Sequence, residues 1–95
     1  MAEPMLKMAS VIAENKGFKV LGAAPSAAAA RELSLAGIES KTLASYGVND
    51  FSSLNDKTIL VVDEASMVSA KDMHHLMSAA QEKSARVVLV GDVKQ

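Results

Sequence analysis

Three nearly continuous apolar runs constrain what this chain can fold into: FKVLGAA from Phe18, TILVV at 58–62 and RVVLV at 86–90. Successive side chains of a strand point to opposite faces of its sheet, so a strand that is apolar throughout must be covered on both sides. The segments around these runs carry helical spacing instead. Met5, Met8, Ala9 and Ile12 recur at i, i+3, i+4 and i+7, with Pro4 at a first-turn position and Gly17 past the end, which predicts a helix over 4–15 with that stripe inward. Ser26 can cap a second helix running to about Ala36, ended by Gly37, whose missing Cβ permits a left-handed turn. Ser69 followed by Asp72 makes a near capping box, and Met73, Leu76, Met77 and Ala80 form the stripe of a third helix. Residues 38–57 read as irregular, with one helical turn around TLASY.

Helix and strand alternating in this way, with strands apolar on both faces, predict an α/β fold: a parallel sheet between two helical layers, joined by right-handed crossovers. In such sheets ligands gather beyond the carboxyl ends of the strands, where loops and helix N-termini converge. Three strand ends carry polar groups there: APS at 24–26, DEAS at 63–66 and GDVKQ at 91–95. All three are expected along one edge of the sheet.

Composition removes several classes of function. A formal net charge of −1 with interspersed charges leaves no basic footprint for net electrostatic binding of nucleic acid, so any DNA contact must be local. The chain has no cysteine, hence no disulfide frame and no thiolate metal site. No apolar run approaches the 18 or so residues of a spanning helix, and no signal-peptide core follows the N-terminus, so the chain reads as soluble, cytoplasmic and unconnected with a membrane. His74 and His75 are adjacent on a helix with no clustered acid beside them and read as solvated faces.

The functional weight falls on Asp63 and Glu64, which follow the apolar run at 58–62 directly. Adjacent acids at a strand end suit metal-assisted phosphoryl chemistry: the first carboxylate holds a hydrated Mg²⁺ through water, and the second orients or deprotonates the attacking water. Taken alone, the pair is equally well read as a solvated acidic strand end. VVLVGDVKQ adds a second apolar strand followed by Gly91, Asp92 and Gln95, with one helix of suitable length between the two strands.

ILVVDEASMV followed by RVVLVGDVKQ resembles motifs II and III of superfamily 1 helicases, and within them the RecD-like group, above all the helicase portion of conjugative relaxase proteins. GAAPSAAAARELS falls where that family has motif Ia, and IESKTLASY resembles the segment after it; the likeness spans residues 18–95. It implies a three-layer P-loop NTPase sheet of the RecA-like type and an ATP-driven motor that moves along single-stranded DNA. By motif position Asp63 would hold Mg²⁺ through water, Glu64 would activate water, Gln95 would sense the γ-phosphate, and Asp92 would lie on the nucleotide side. Pro25, Ser26, Thr42 and Tyr46 would face DNA. Ser26 is also a plain N-cap, and Tyr46 serves equally as a base-stacking ring or as filler at the edge of a small core.

The family's phosphate loop, G-x-x-x-x-G-K-[ST], is expected just ahead of the first helix, inside which this sequence begins. The resemblance therefore implies a single truncated motor domain over 1–95, lacking the phosphate-loop strand. Its three strands would be contiguous in the order 18–24, 58–62, 86–90, and the last would be left unpaired and open to self-association. Mg²⁺ and ATP belong to the parent protein, and no tight binding of either is expected of this chain alone. A noncatalytic α/β module that binds DNA or a protein is the alternative reading.

Overall fold

The computed structural model describes residues 3–91, with side chains from Lys7 onward; Asp92 and Gln95 lie outside the described residues. The elements in chain order are α1 (Glu3–Asn15), β1 (Lys19–Ala24), α2 (Ala27–Leu35), β2 (Glu39–Thr42), α3 (Leu43–Gly47), β3 (Thr58–Asp63), a 3₁₀ turn at Ala65–Met67, α4 (Ala70–Lys83) and β4 (Arg86–Val90). All strand pairs are parallel, in the order β2-β1-β3-β4. The expected α/β class, and the contiguity of the three apolar strands, are both present.

Alternation along β1 and β3 builds the layers. Leu21, Ala23, Leu60 and Val62 point to one face and pack with Leu43 and Tyr46 of α3 and Leu76, Ala79 and Ala80 of α4. Val20 and Val61 point to the other and meet Leu33 of α2 and Ile38, with Ala13 of α1 against them. Each continuous apolar run thus feeds two cores at once, as its lack of polar alternation requires.

Two expectations are corrected. Residues 38–57 are not wholly irregular: ESKT forms β2, a fourth strand outside β1, and α3 follows it directly. An edge strand needs little apolar content because one side meets water, so β2 sends no hydrophobic signal. The stripe chosen for α1 is also rotated. Met8 and Ile12 are 67% and 52% exposed, whereas Ser10 is 5% exposed and Ala13 packs on the core. Small side chains let a helix axis come close to a sheet, and here they outweigh the larger apolar residues; Met5's side chain is outside the described residues. In α4 the expected stripe is inward at Leu76 and Ala80, half-buried at Met73 and 44% exposed at Met77.

Two glycines are required by geometry. Gly37 adopts φ +100° past the end of α2, the left-handed turn expected of it. Gly22 lies in mid-β1, where an added Cβ would collide with Ser40 Oγ of β2. The same glycine's carbonyl oxygen accepts a 2.8 Å hydrogen bond from Tyr46 Oη, a link between residues 24 apart in sequence. Tyr46 is 3% exposed, and its ring runs beside Phe51, 6.4 Å between centroids and 14° from parallel. Of the two roles open to this ring, the fold places it in the core.

Burial, and then the negative charge of Glu39, push the Tyr46 hydroxyl up to about 12 from its ordinary 10.0. The folded state therefore favours the neutral phenol. Its contribution to stability is complete below pH 10, declines as the unfolded chain ionises, and is lost as pH rises through about 12. Tyr46→Phe should cost about 1 kcal/mol at neutral pH through the lost hydrogen bond, and should flatten the fall in stability above pH 10. Urea unfolding of both proteins across that range measures the two effects, and identical alkaline profiles would contradict the assignment.

Candidate functional site

Register fixes the carboxyl edge of the sheet. Ala24 pairs with Thr42, Ala23 with Val62, and Asp63 with Val90, so the tips of four adjacent strands end together. Pro25, Ser26, Asp63 and Glu64 stand at or just beyond these tips, as the sequence led one to expect, and Thr42 joins them at the end of β2, which the sequence did not show. Tyr46, one turn into α3, is drawn instead into the core beneath.

The backbone at the acids is specific. Asp63 closes β3, and Glu64 then adopts a left-handed conformation, φ 53° and ψ 43°. A non-glycine residue pays a strain of about 1–2 kcal/mol there. Asp63 Oδ1 accepts the Glu64 N–H at 3.0 Å, which steadies the turn. The reversal carries the chain out of the strand into the 3₁₀ turn and leaves the Glu64 carboxylate half-buried, with no hydrogen-bond or ion-pair partner among the described residues. One oxygen of Asp63 is thus committed to the backbone, and Oδ2 remains for a ligand.

Ser26 and Thr42 are helix caps. Ser26 Oγ accepts from Ala29 N at 3.2 Å at the start of α2, and Thr42 Oγ1 accepts from Ser45 N at 3.1 Å at the start of α3. Ser69 likewise accepts from Asp72 N at 3.1 Å before α4, the expected half of a capping box. Capping takes one of the two acceptor lone pairs of each of the first two hydroxyls and leaves the O–H free to donate. Pro25 and Ser26 are exposed.

A shallow cavity of about 230 Å³ lies between α2 and the tip of β3, lined by Ser26, Ala28, Ala29, Glu32, Asp63 and Glu64. Glu32 was not singled out from sequence. It stands in the second turn of α2, within GAAPSAAAARELS, and only the packing of α2 beside β3 brings it to the acids. The three carboxylates have no Lys, Arg or His within ion-pair distance among the described residues. An anion alone would be repelled here. The donor set, hard oxygens with a free carboxylate position on Asp63, fits a hydrated Mg²⁺ carried by a polyphosphate. No group of three His, Cys, Asp or Glu among the described residues is arranged to cage a metal ion by itself.

A larger concavity of about 660 Å³ lies beside the last turns of α4, near Asp50 and His75. Helices of a parallel sheet run back against the strands, so the end of α4 is at the amino edge, away from the acids. His75 Nε2 lies 3.2 Å from Asp50 Oδ1, and its ring meets Phe51 edge-on at 5.0 Å. Both histidines are exposed, as expected of solvated helix faces, and His75 in addition contacts the 50–51 turn. Among the described residues no helix is long and apolar enough to cross a membrane.

Three similar proteins are the conjugal transfer protein TraA of Rhizobium radiobacter, 41% identical, the probable conjugal transfer protein TraA of Sinorhizobium fredii, 41%, and the conjugal transfer protein TraA of Agrobacterium fabrum, 39%. Each alignment takes in 96% of this chain but only 9% of the relative, so the chain corresponds to a small part of those proteins. A family model described as an AAA domain matches residues 4–95, nearly the whole length. This chain belongs to the AAA domain family.

Proposed function

We propose that this chain is part of the first motor domain of an ATP-dependent DNA helicase of the RecD-like group, within a conjugative relaxase-helicase that works in the cytoplasm on single-stranded DNA. The observation that carries the reading is the carboxyl edge, where Asp63 and Glu64 end β3 beside the outward hydroxyls of Ser26 and Thr42 at the ends of β1 and β2. The relatives named for conjugal transfer support the same context.

In this reading Asp63, with Oδ1 held by the backbone, would hold the hydrated Mg²⁺ through its free Oδ2. Mg²⁺, when bound with ATP, supplies charge neutralisation at the phosphates. Glu64, turned out of the strand and unpaired, accepts a proton from the attacking water. Ser26 and Thr42 donate hydrogen bonds to DNA phosphates, aided by the N–H groups that open α2. Pro25 stiffens the turn between β1 and that helix. Asp92 and Gln95 are assigned to the nucleotide side by motif position alone.

The edge strand adds a second element. β4 pairs only with β3 among the described residues, and Val88 and Leu89, which point to opposite faces, are 44% and 50% exposed. Unpaired backbone beside apolar side chains favours strand addition, so the isolated chain should self-associate through 86–90. Sedimentation over a concentration series should show mass rising with concentration; a strictly monomeric chain with rapidly exchanging amides at 88–90 would contradict it.

The catalytic assignment is tested in the complete parent protein. Glu64→Gln keeps size and hydrogen bonding but removes the base, so nucleotide binding should persist while turnover falls by roughly 10² to 10⁴. Single-turnover hydrolysis and a separate binding titration resolve the two. Near-normal hydrolysis would remove Glu64 from the chemistry and give the acids at this strand end a structural role.

A further inference from the structure

The amino edge of the sheet, opposite the acids, carries a feature that the motor reading does not use. Phe18 precedes β1, Lys57 precedes β3 and Arg86 opens β4. By strand alternation Phe18 shares a face with Val20, Lys57 with Ile59, and Arg86 with Val88, so all three lie on the α1 side of adjacent strands, Lys57 opposite Phe18 and Arg86 opposite Ile59, two residues further along. Lys57 Nζ lies 5.3 Å from the centroid of the Phe18 ring, and Arg86 Cζ lies 5.5 Å from it. The ring is half-buried, while Lys57 and Arg86 are exposed.

Two cations drawn to one ring are held near each other, which like charges resist. Among the described residues neither has a carboxylate within ion-pair distance. Asp56, next to Lys57 in sequence, makes no ion pair, and the nearby Lys19 is already matched by Glu39 at 3.1 Å. Aliphatic stems lying along an aromatic ring explain the contacts. They do not neutralise the two heads, whereas Lys19 on the same edge is paired with Glu39. A pre-positioned Lys and Arg over an aromatic face suit the phosphates of a flexible strand, with Arg able to grip one oxygen pair in parallel.

We propose that Phe18, Lys57 and Arg86 form a second contact for the backbone of single-stranded DNA, on the edge of the sheet away from the nucleotide site. The choice of nucleic acid over an acidic protein segment rests on the helicase reading. Lys57 and Arg86 bind phosphates, and Phe18 fixes the spacing of the two charges.

Amide shifts of this chain, titrated at low salt with a thymidine oligonucleotide, test the site. Shifts should cluster at 17–19, 56–58 and 85–87. Lys57→Gln/Arg86→Gln should abolish them and lower the slope of log affinity against log salt by about 1.4, two phosphate contacts at about 0.7 each for a single strand. Arg31→Gln/Lys71→Gln, which removes the same charge elsewhere, should leave shifts and slope in place. Shifts confined to Ser26 and Thr42 would overturn this site and leave the helicase reading standing. Absence of any shift, an equal loss in the control variant, or the same shifts with poly-glutamate would overturn it too.

Discussion

Pairing of β3 with a neighbour on each side is the constraint on which the rest depends. β3 is the inner strand between β1 and β4, its side chains feed both cores, and its register brings every strand tip to one edge. Because Leu60 and Val62 face one helical layer and Val61 the other, a shift of one residue would exchange the two cores and move Asp63 off the edge. The site is therefore placed by the same burial that stabilises the sheet.

The edge next to that strand is held by unlike means. Gly22 leaves room for the Ser40 side chain of β2, and its carbonyl receives the Tyr46 hydroxyl from α3. Thr42, which ends β2 and caps α3, is thus tied to β1 through one buried hydrogen bond as well as through the strand ladder.

What was legible in the sequence follows from how strongly burial shapes it. Strands buried on both faces must be apolar throughout, so β1, β3 and β4 were visible, and with them the fold class and the edge carrying Asp63 and Glu64. β2 was not, because ESKT lies at an edge where water replaces one neighbour. The inward face of α1 was misread because Ser10 and Ala13 are inward for their size, which hydrophobic periodicity does not weigh. Tyr46 stood open between two roles, since its hydroxyl partner is a main-chain carbonyl that no side-chain pattern encodes. Glu32's place beside the acids and the Phe18 cluster arise from helix packing and sheet order, which local spacing does not encode.

The central claim is that the carboxyl edge at Asp63 holds the metal of a bound nucleotide. Electron paramagnetic resonance of Mn²⁺, titrated into the complete parent protein with nucleotide present, reads that site without requiring turnover. Asp63→Asn should weaken Mn²⁺ binding while Glu64→Gln leaves it close to that of the natural protein, because only the first carboxylate reaches the metal's water shell. Unchanged Mn²⁺ affinity in Asp63→Asn would contradict the account and return the acids at this strand end to a structural role.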